Sequence, residues 1–465
     1  MRGLILRNVE VGGRSGLDVR VADGRIAAIG ARLPGPGWAV DGGGGALLPG
    51  LADHHIHLLG LAAQQDSVDL SDVSRPDDFA TRITQATDGK PEGAWIRATG
   101  YHERMAGELT RRDLDQLAPR HRLRLQHQTG ALWILNSAAL ASLGPEDLPA
   151  CVERDQQGAL TGRVWRGDAW LRGRIGAQIP PLAPVGRQLA AWGVTHLTDA
   201  SVTTDAGAAA LLAEAFRKGD LPQHLTLMSG GDLKAPDDAA FAVGPVKILL
   251  DDHDLPDLDD FIGRIAEARD WGRSVAVHCV AAGELALSLA AFESAGALPG
   301  DRIEHGGVIP SSAILSLREM GLTVVTQPGF VRDRGDRYLT EVAVEEQADL
   351  YRCASLLAAG VPVAASSDAP YGPADPWLGM TAAIGRRTRL GHALGTRERV
   401  SPKRALALYL DEASAPGRRP RPVTVGAPAD LCLLDRPLDA GLATLSADSV
   451  VLTLLNGEVI YDRKA

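Results

Sequence analysis

Residues 51–58 read Leu-Ala-Asp-His-His-Ile-His-Leu, a short apolar run that follows a Gly-rich and Pro-containing turn. Such a run predicts a β-strand, and side chains alternate faces along a strand. His55 and His57 therefore share one face, and His54 and Ile56 share the other. Two imidazoles two positions apart can grip one metal ion. A His-x-His pair is also a common structural accident, so its meaning depends on the rest of the chain.

Working outward, seven further apolar runs have strand character: 195–201, 224–230, 246–251, 274–280, 301–307, 322–328 and 361–368. Good helical patterns separate several of them, at 258–272 and 283–296 for example. Eight strands alternating with helices predict an α/β fold, a closed (β/α)8 TIM-like barrel. The competing topology is an open doubly wound sheet. No Gly-x-Gly-x-x-Gly follows the first strand, and the Gly42–Gly45 run precedes a strand rather than a helix. Residues 68–185 exceed what one connecting helix needs. They are expected to form an insertion after barrel strand 1, above the barrel mouth where loops carry recognition. Residues 1–50 and 421–465 are β-rich and turn-rich, with Asn456-Gly457 as a hairpin signal. Each end is too short to bury a core alone. Together they are expected to form one small β-sandwich domain, leaving 51–420 to the barrel and its insertion.

The chain has 465 residues, enough for a barrel with a small companion. Its formal net charge of −10 argues against nucleic acid, which demands a basic face, and against an anionic membrane surface. Aromatic residues are only 4%, so aliphatic side chains must fill the core. The cysteines, Cys151, Cys279, Cys353 and Cys432, form no Cys-x-x-Cys pair, which suits a reducing cytosol. No signal-peptide-like apolar stretch opens the chain, and no apolar run approaches ~18 residues. These features predict a cytoplasmic protein acting on a small molecule, without nucleic-acid or membrane partners; a homodimer is compatible with them.

Four other candidate strands each end in a potential ligand: Lys247, His278, His305 and Asp368. Barrel active sites lie at the carboxyl ends of strands. A series of His-His, Lys, His, His and Asp in chain order is hard to obtain by accident. Zinc and similar ions favour neutral imidazole and carboxylate, and a bound divalent ion lowers the pKa of its water toward ~7. Lys247 is the odd member, because a buried ammonium cannot ligate a cation. Deprotonated, it could add carbon dioxide and become a bridging carbamate; alternatively it could pair with a carboxylate such as Asp251. Cys279 alternates with His278 and reads as a buried packing residue.

These residues together resemble the amidohydrolase superfamily, and within it the amidohydrolase family 3, or YtcJ-like, branch. Leu48-Pro-Gly-Leu-Ala-Asp-His-His-Ile-His57 is similar to its first-strand signature. Val246-Lys-Ile, Val277-His, Arg302-Ile-Glu-His305, Ser366-Ser-Asp368-Ala-Pro and the return segment Gly426–Asp435 follow in order, and Asn136–Leu140 also fits. The resemblance implies a metal-dependent hydrolase of non-peptide C–N bonds in amides, formamides or cyclic amides, acting through a metal-activated hydroxide. It implies one or two divalent ions, zinc first among them. His55, His57 and Asp368 would hold one ion, His278 and His305 a second, and carboxylated Lys247 would bridge them. Asp368 would be the catalytic proton carrier. Asp53 and Glu304 would orient imidazoles.

Two departures stand out. Gly130-Ala131 replaces the Gly-His of that branch, with His127 nearby as a substitute, and Asp251-Asp252 replaces Asp-Gly. Both bear on substrate more than on mechanism. Candidate substrate contacts are Tyr101, His102, Gln327 and Trp377, with Glu103, Arg104 and Tyr371 beside them. The alternatives are an esterase, lactonase or deaminase on the same centre, a non-catalytic barrel scaffold, and a metal-free barrel that binds phosphate.

Overall fold

The computed structural model describes residues 3–34, 38–70, 72–129, 131–144, 148–176 and 179–464. Its central feature is a sheet of eight parallel strands in chain order. We number them β1 (Leu51–Ile56), β2 (Val194–Asp199), β3 (His224–Ser229), β4 (Ala242–Ile248), β5 (Val275–Cys279), β6 (Arg302–His305), β7 (Thr323–Thr326) and β8 (Val363–Ala365). All eight runs singled out in the sequence are present, and the chain is an α/β barrel. Every residue of β1, β6, β7 and β8 is buried. That is the state of parallel strands covered on both faces, and it explains runs such as Thr-Val-Val-Thr that lack polar alternation.

The two edge strands meet at a seam. Asp368 N donates to His55 O at 2.8 Å, and His57 N donates to Ala369 O at 2.8 Å. The Asp53 carboxylate reinforces it by accepting from Ser367 N at 3.1 Å and from His55 N at 3.2 Å. Burial raises the Asp53 carboxyl to about 6, its hydrogen bonds opposing that rise.

Helix Leu258–Asp270 shows why the connections are helical. Its buried residues are Phe261, Ile265 and Ala268, spaced four and three apart. Asp259 and Asp260 occupy its first turn and Arg269 its last, matching the helix dipole. In the next helix, Ala282–Ala295, Glu284 caps the amino end by accepting from Val280 N and Ala281 N at 2.5 and 2.8 Å.

Both chain ends contribute to a pair of four-stranded sheets. One is built from Leu4–Val11, Arg14–Ala22, Arg25–Gly30 and Trp38–Asp41; the other from Leu47–Pro49, Leu431–Leu434, Val450–Leu455 and Glu458–Asp462. Leu6, Val9, Val19 and Ile26 share one buried cluster with Leu431, Leu433, Leu452 and Leu454. The hairpin at Asn456-Gly457 has positive φ at both residues, 49° and 77°, as a tight two-residue turn requires.

The chain separates into two compact units, 1–58 with 182–465, and 59–181. The second begins and ends a few residues before the expected insertion. It has its own sheet, in the order Val152–Arg154, Leu160–Trp165, Leu132–Leu135, Arg122–His127, Trp95–Tyr101, Val68–Asp69. Its interior includes Phe79, Ile83, Ile96, Leu114, Leu123 and Ile134.

Candidate active site

His55, His57, Lys247, His278, His305 and Asp368 all line one cavity of about 490 Å³ at the carboxyl ends of the barrel strands. The sequence separates the first from the last by more than three hundred positions; the barrel brings them together. His57 Nε2 lies 3.1 Å from Asp368 Oδ1, and His55 Nε2 lies 3.4 Å from the same oxygen. The His55 and His57 rings sit 5.3 Å apart, confirming their common face, and the His278 and His305 rings 4.4 Å apart. A ring separation of 4.8 Å links His55 to His305. Ligand atoms of His55, His57 and Asp368 lie close enough to hold one metal ion.

The imidazoles are oriented from behind. His55 Nδ1 contacts Glu304 Oε2, while the other oxygen of that carboxylate takes Arg302 Nε. His57 Nδ1 is 2.9 Å from Ser201 Oγ. His305 Nδ1 donates to Gln327 Oε1 at 3.0 Å, and Gln327 Nε2 donates onward to Ser366 Oγ at 3.0 Å. An imidazole whose Nδ1 is engaged in this way presents Nε2 to the cavity. Two of the six residues also have left-handed backbone, His305 at φ 70° and Asp368 at φ 53°. Conformations of this kind cost roughly 1–3 kcal/mol and persist where the surroundings fix them.

The electrostatics favour neutral bases. Burial lowers His55 and His305 well below the ordinary imidazole range, with Lys247 adding to the effect. Burial lowers His278 to about 4 and pushes the Lys247 ammonium down to about 8. Asp251 is exposed and does not pair with Lys247. Among the described residues, His55 Nε2, Lys247 Nζ and Asp368 Oδ1 are buried without any hydrogen-bond partner. Unsatisfied groups are costly to bury. Three that share a cavity, two of them imidazole and carboxylate, form a donor set suited to a divalent cation.

Of the other sequence candidates, Tyr371 also lines this cavity. Gln327 is wholly buried behind His305 rather than on the cavity wall. Trp377, in the first turn of helix Pro376–Gly385, is also buried, and its indole N–H donates to Trp192 O at 3.0 Å. Tyr101 belongs to the interior of unit 59–181, its hydroxyl donating to Gly107 O. His102 caps a short helix in that unit, accepting from Arg104 N at 3.1 Å. His127 there sits 3.1 Å from Glu103 Oε2 and 2.8 Å from Thr129 Oγ1; Gly130 lies outside the described residues. Cys279 is buried with Sγ 3.2 Å from Ser288 Oγ, as a packing residue should be.

Sequence reasoning missed the apolar and cationic wall contributed by Phe330, Arg334, Tyr338 and Tyr351. These come after β7, and the only signal was their place in a strand-to-helix connection at the correct end of the barrel. It also missed Ser201, two residues beyond β2.

A second group able to hold a metal ion consists of His196, His224 and Asp430, at the amino end of the barrel. His224 Nε2 lies 3.2 Å from Asp430 Oδ2. However, Arg421 Nη1 donates to His196 Nδ1 at 3.0 Å. A neutral imidazole accepting there carries its proton on Nε2 and has no lone pair for a cation. This cluster reads as a structural network.

The amidohydrolase family profile matches residues 39–461. The chain is 26% identical to the N-substituted formamide deformylase of Arthrobacter pascens, over 98% of this chain and 97% of that one. It is also 26% identical to the amidohydrolase YtcJ of Bacillus subtilis (strain 168), over 90% of each chain. A crystal structure of an uncharacterized metal-dependent hydrolase from Pyrococcus furiosus superposes with a TM-score of 0.75 at 22% identity, covering 93% of this chain and 99% of that one.

Proposed function

The chain belongs to the amidohydrolase family, and on that premise we propose that it is a metal-dependent hydrolase of a non-peptide C–N bond in a small amide, formamide or cyclic amide. One observation carries the reading above all. The orphaned atoms His55 Nε2, Lys247 Nζ and Asp368 Oδ1 share a cavity with His57, His278 and His305. The formamide substrates named for the Arthrobacter pascens relative fall within the same bond class.

In this reading His55, His57 and Asp368 hold one ion and His278 and His305 a second, with zinc the first choice for neutral nitrogen and carboxylate donors. A divalent ion, when bound, polarises the substrate carbonyl and acidifies water. Glu304 and Ser201 hold the His55 and His57 rings, so binding need not order them. The lowered pKa of Lys247 leaves a sizeable neutral amine fraction at neutral pH, the form that adds carbon dioxide. As an N-carboxylate it offers two oxygens where an ammonium would repel a cation. Asp368 accepts the proton of the attacking water and returns it to the leaving nitrogen. Its left-handed backbone and its hydrogen bond to His55 O fix that carboxylate at the seam. Four free cysteines suit a reducing compartment, and a cytoplasmic location belongs to this reading. No helix among the described residues is long and apolar enough to cross a membrane.

The test is a screen of N-acyl, formamide and cyclic-amide compounds with and without chelator. Turnover lost with chelator and restored by a divalent ion supports the reading. Turnover indifferent to chelator contradicts it.

A further inference from the structure

The cavity wall after β7 carries two guanidiniums, Arg334 and Arg337, and of the two only Arg334 lacks a described carboxylate partner. Arg334 lies on the segment joining helices Gly329–Asp333 and Gly335–Glu341 and lines the same cavity as the six site residues. Its guanidinium stacks over the Phe330 ring at 4.0 Å. Its Nη2 donates to Tyr371 O at 2.7 Å. No described carboxylate pairs with it, and the neighbouring acids are already engaged. Asp333 pairs with Arg332 at 2.5 Å and Arg389 at 3.3 Å. Asp336 faces His392 at 2.9 Å and accepts from Thr388 Oγ1 at 2.5 Å. Glu341 pairs with Arg337 at 2.5 Å.

A guanidinium held by an aromatic face and one carbonyl keeps most of its N–H groups free. Its planar fork matches a carboxylate. The cavity it lines is otherwise largely apolar and aromatic away from the six site residues, with Val202, Leu249, Val280 and Tyr338 among its lining. Arg334 is also close to the chemistry. Tyr371, whose carbonyl it holds, has its ring 5.5 Å from the His57 ring.

We infer that Arg334 receives a carboxylate carried by the substrate, so that the preferred compounds are anionic amides with an apolar body and a carboxylate a few bonds from the scissile C–N bond. This rests on the amide-hydrolase reading above and narrows it. The aromatic platform below the guanidinium and the hydrogen bond to Tyr371 O fix its orientation, so the pairing costs less ordering than for a free side chain. N-Formyl and N-acyl amino acids have the required chemistry; the corresponding N-formyl amines lack the anion.

The experiment compares N-formylphenylalanine, in both enantiomers, with N-formyl-2-phenylethylamine, which differs only by the carboxylate. Wild-type enzyme is expected to favour one enantiomer of the acid in kcat/KM. In Arg334→Gln the acid-to-amine ratio of kcat/KM falls about 5- to 10-fold, chiefly through KM, as for loss of a partly exposed ion pair. Arg334→Lys falls between the two. Arg337 also lines the cavity but is paired with Glu341, so Arg337→Gln changes the ratio much less. A wild-type preference for the amine, or equal losses on both compounds in Arg334→Gln, overturns the assignment while leaving amide hydrolysis standing. If neither compound turns over, the formamide reading fails, and binding of 3-phenylpropanoate by calorimetry decides for Arg334 separately. Weaker binding to Arg334→Gln than to wild type supports the subsite, and equal binding removes it. Thermal unfolding of each variant shows whether it is folded.

Discussion

Asp368 and His55 are joined twice across the barrel seam. The backbone N–H of Asp368 donates to the His55 carbonyl at 2.8 Å, and Asp368 Oδ1 lies 3.4 Å from His55 Nε2. The first and last barrel strands thus close through the same residues that form the centre of the site. Contacts that close the barrel are therefore also contacts of the site, which makes substitutions at this seam informative.

Asp368→Asn keeps the shape and the backbone hydrogen bond but removes the carboxylate proposed to carry the proton. Turnover should fall by about 10²–10⁴-fold, the usual scale for losing a general base. Metal content should fall much less. Steady-state rates and elemental analysis on the same sample check this. Near wild-type turnover would exclude the proton-carrying role.

Glu304→Gln acts one layer back. The carboxylate is shared between His55 and Arg302, both deeply buried. A neutral amide leaves Arg302 underpaired and loosens the His55 ring. Metal affinity should weaken by about 10–100-fold, the scale seen for partners that orient metal ligands. Competition titration with a chromophoric chelator measures it. Unaltered affinity would assign Glu304 to the barrel interior alone.

Lys247→Ala should lower metal stoichiometry, with recovery in millimolar short-chain carboxylate if a carbamate normally bridges two ions. Intact mass under carbon-dioxide-rich, non-acidic conditions offers a second readout. A wild-type lysine that stays unmodified with two ions bound would remove the carbamate.

The buried histidines set a pH dependence for the metal-free chain. Burial lowers His54 to about 3 and His278 to about 4, and His55, His196 and His305 lie lower than usual. Depressed imidazoles contribute stability that is present above the unfolded value of 6.5 and lost as pH falls toward the folded values. Each can add a slope of up to about 1.4 kcal/mol per pH unit in that window. Asp53 and Asp411, raised to about 6 by burial, act oppositely, since their contribution is lost as pH rises through 6. The histidines outnumber them, so urea midpoints of the metal-free protein should fall between pH 6.5 and 4. A flat profile would mean that these imidazoles are not buried neutral.

The barrel was legible because its strands are short apolar runs bounded by turns, and enclosed parallel strands leave that signal in composition alone. The six cavity residues were legible because each lies at or near a strand end, where alternation fixes the direction of the side chain. The connections beyond the strand ends were not legible. Trp377 and Gln327 sit in the same register window as true cavity residues, yet one finds a carbonyl partner in Trp192 and the other a histidine to hold. Arg334 resembles any charged helix residue until Phe330 and Tyr371 are seen beside it. Apart from the Phe330–Arg334 stack, which is four residues apart, those contacts join segments remote in sequence, and spacing carries no trace of them.

The central claim is that six side chains gathered at the ends of five barrel strands bind divalent metal. An anomalous-difference map, from crystals of the purified protein measured across a transition-metal absorption edge, tests it most directly. A peak among His55, His57 and Asp368, lost in the His55→Ala, His57→Ala double variant, is the expected result. A fully active crystal batch with no peak in that cavity would contradict it.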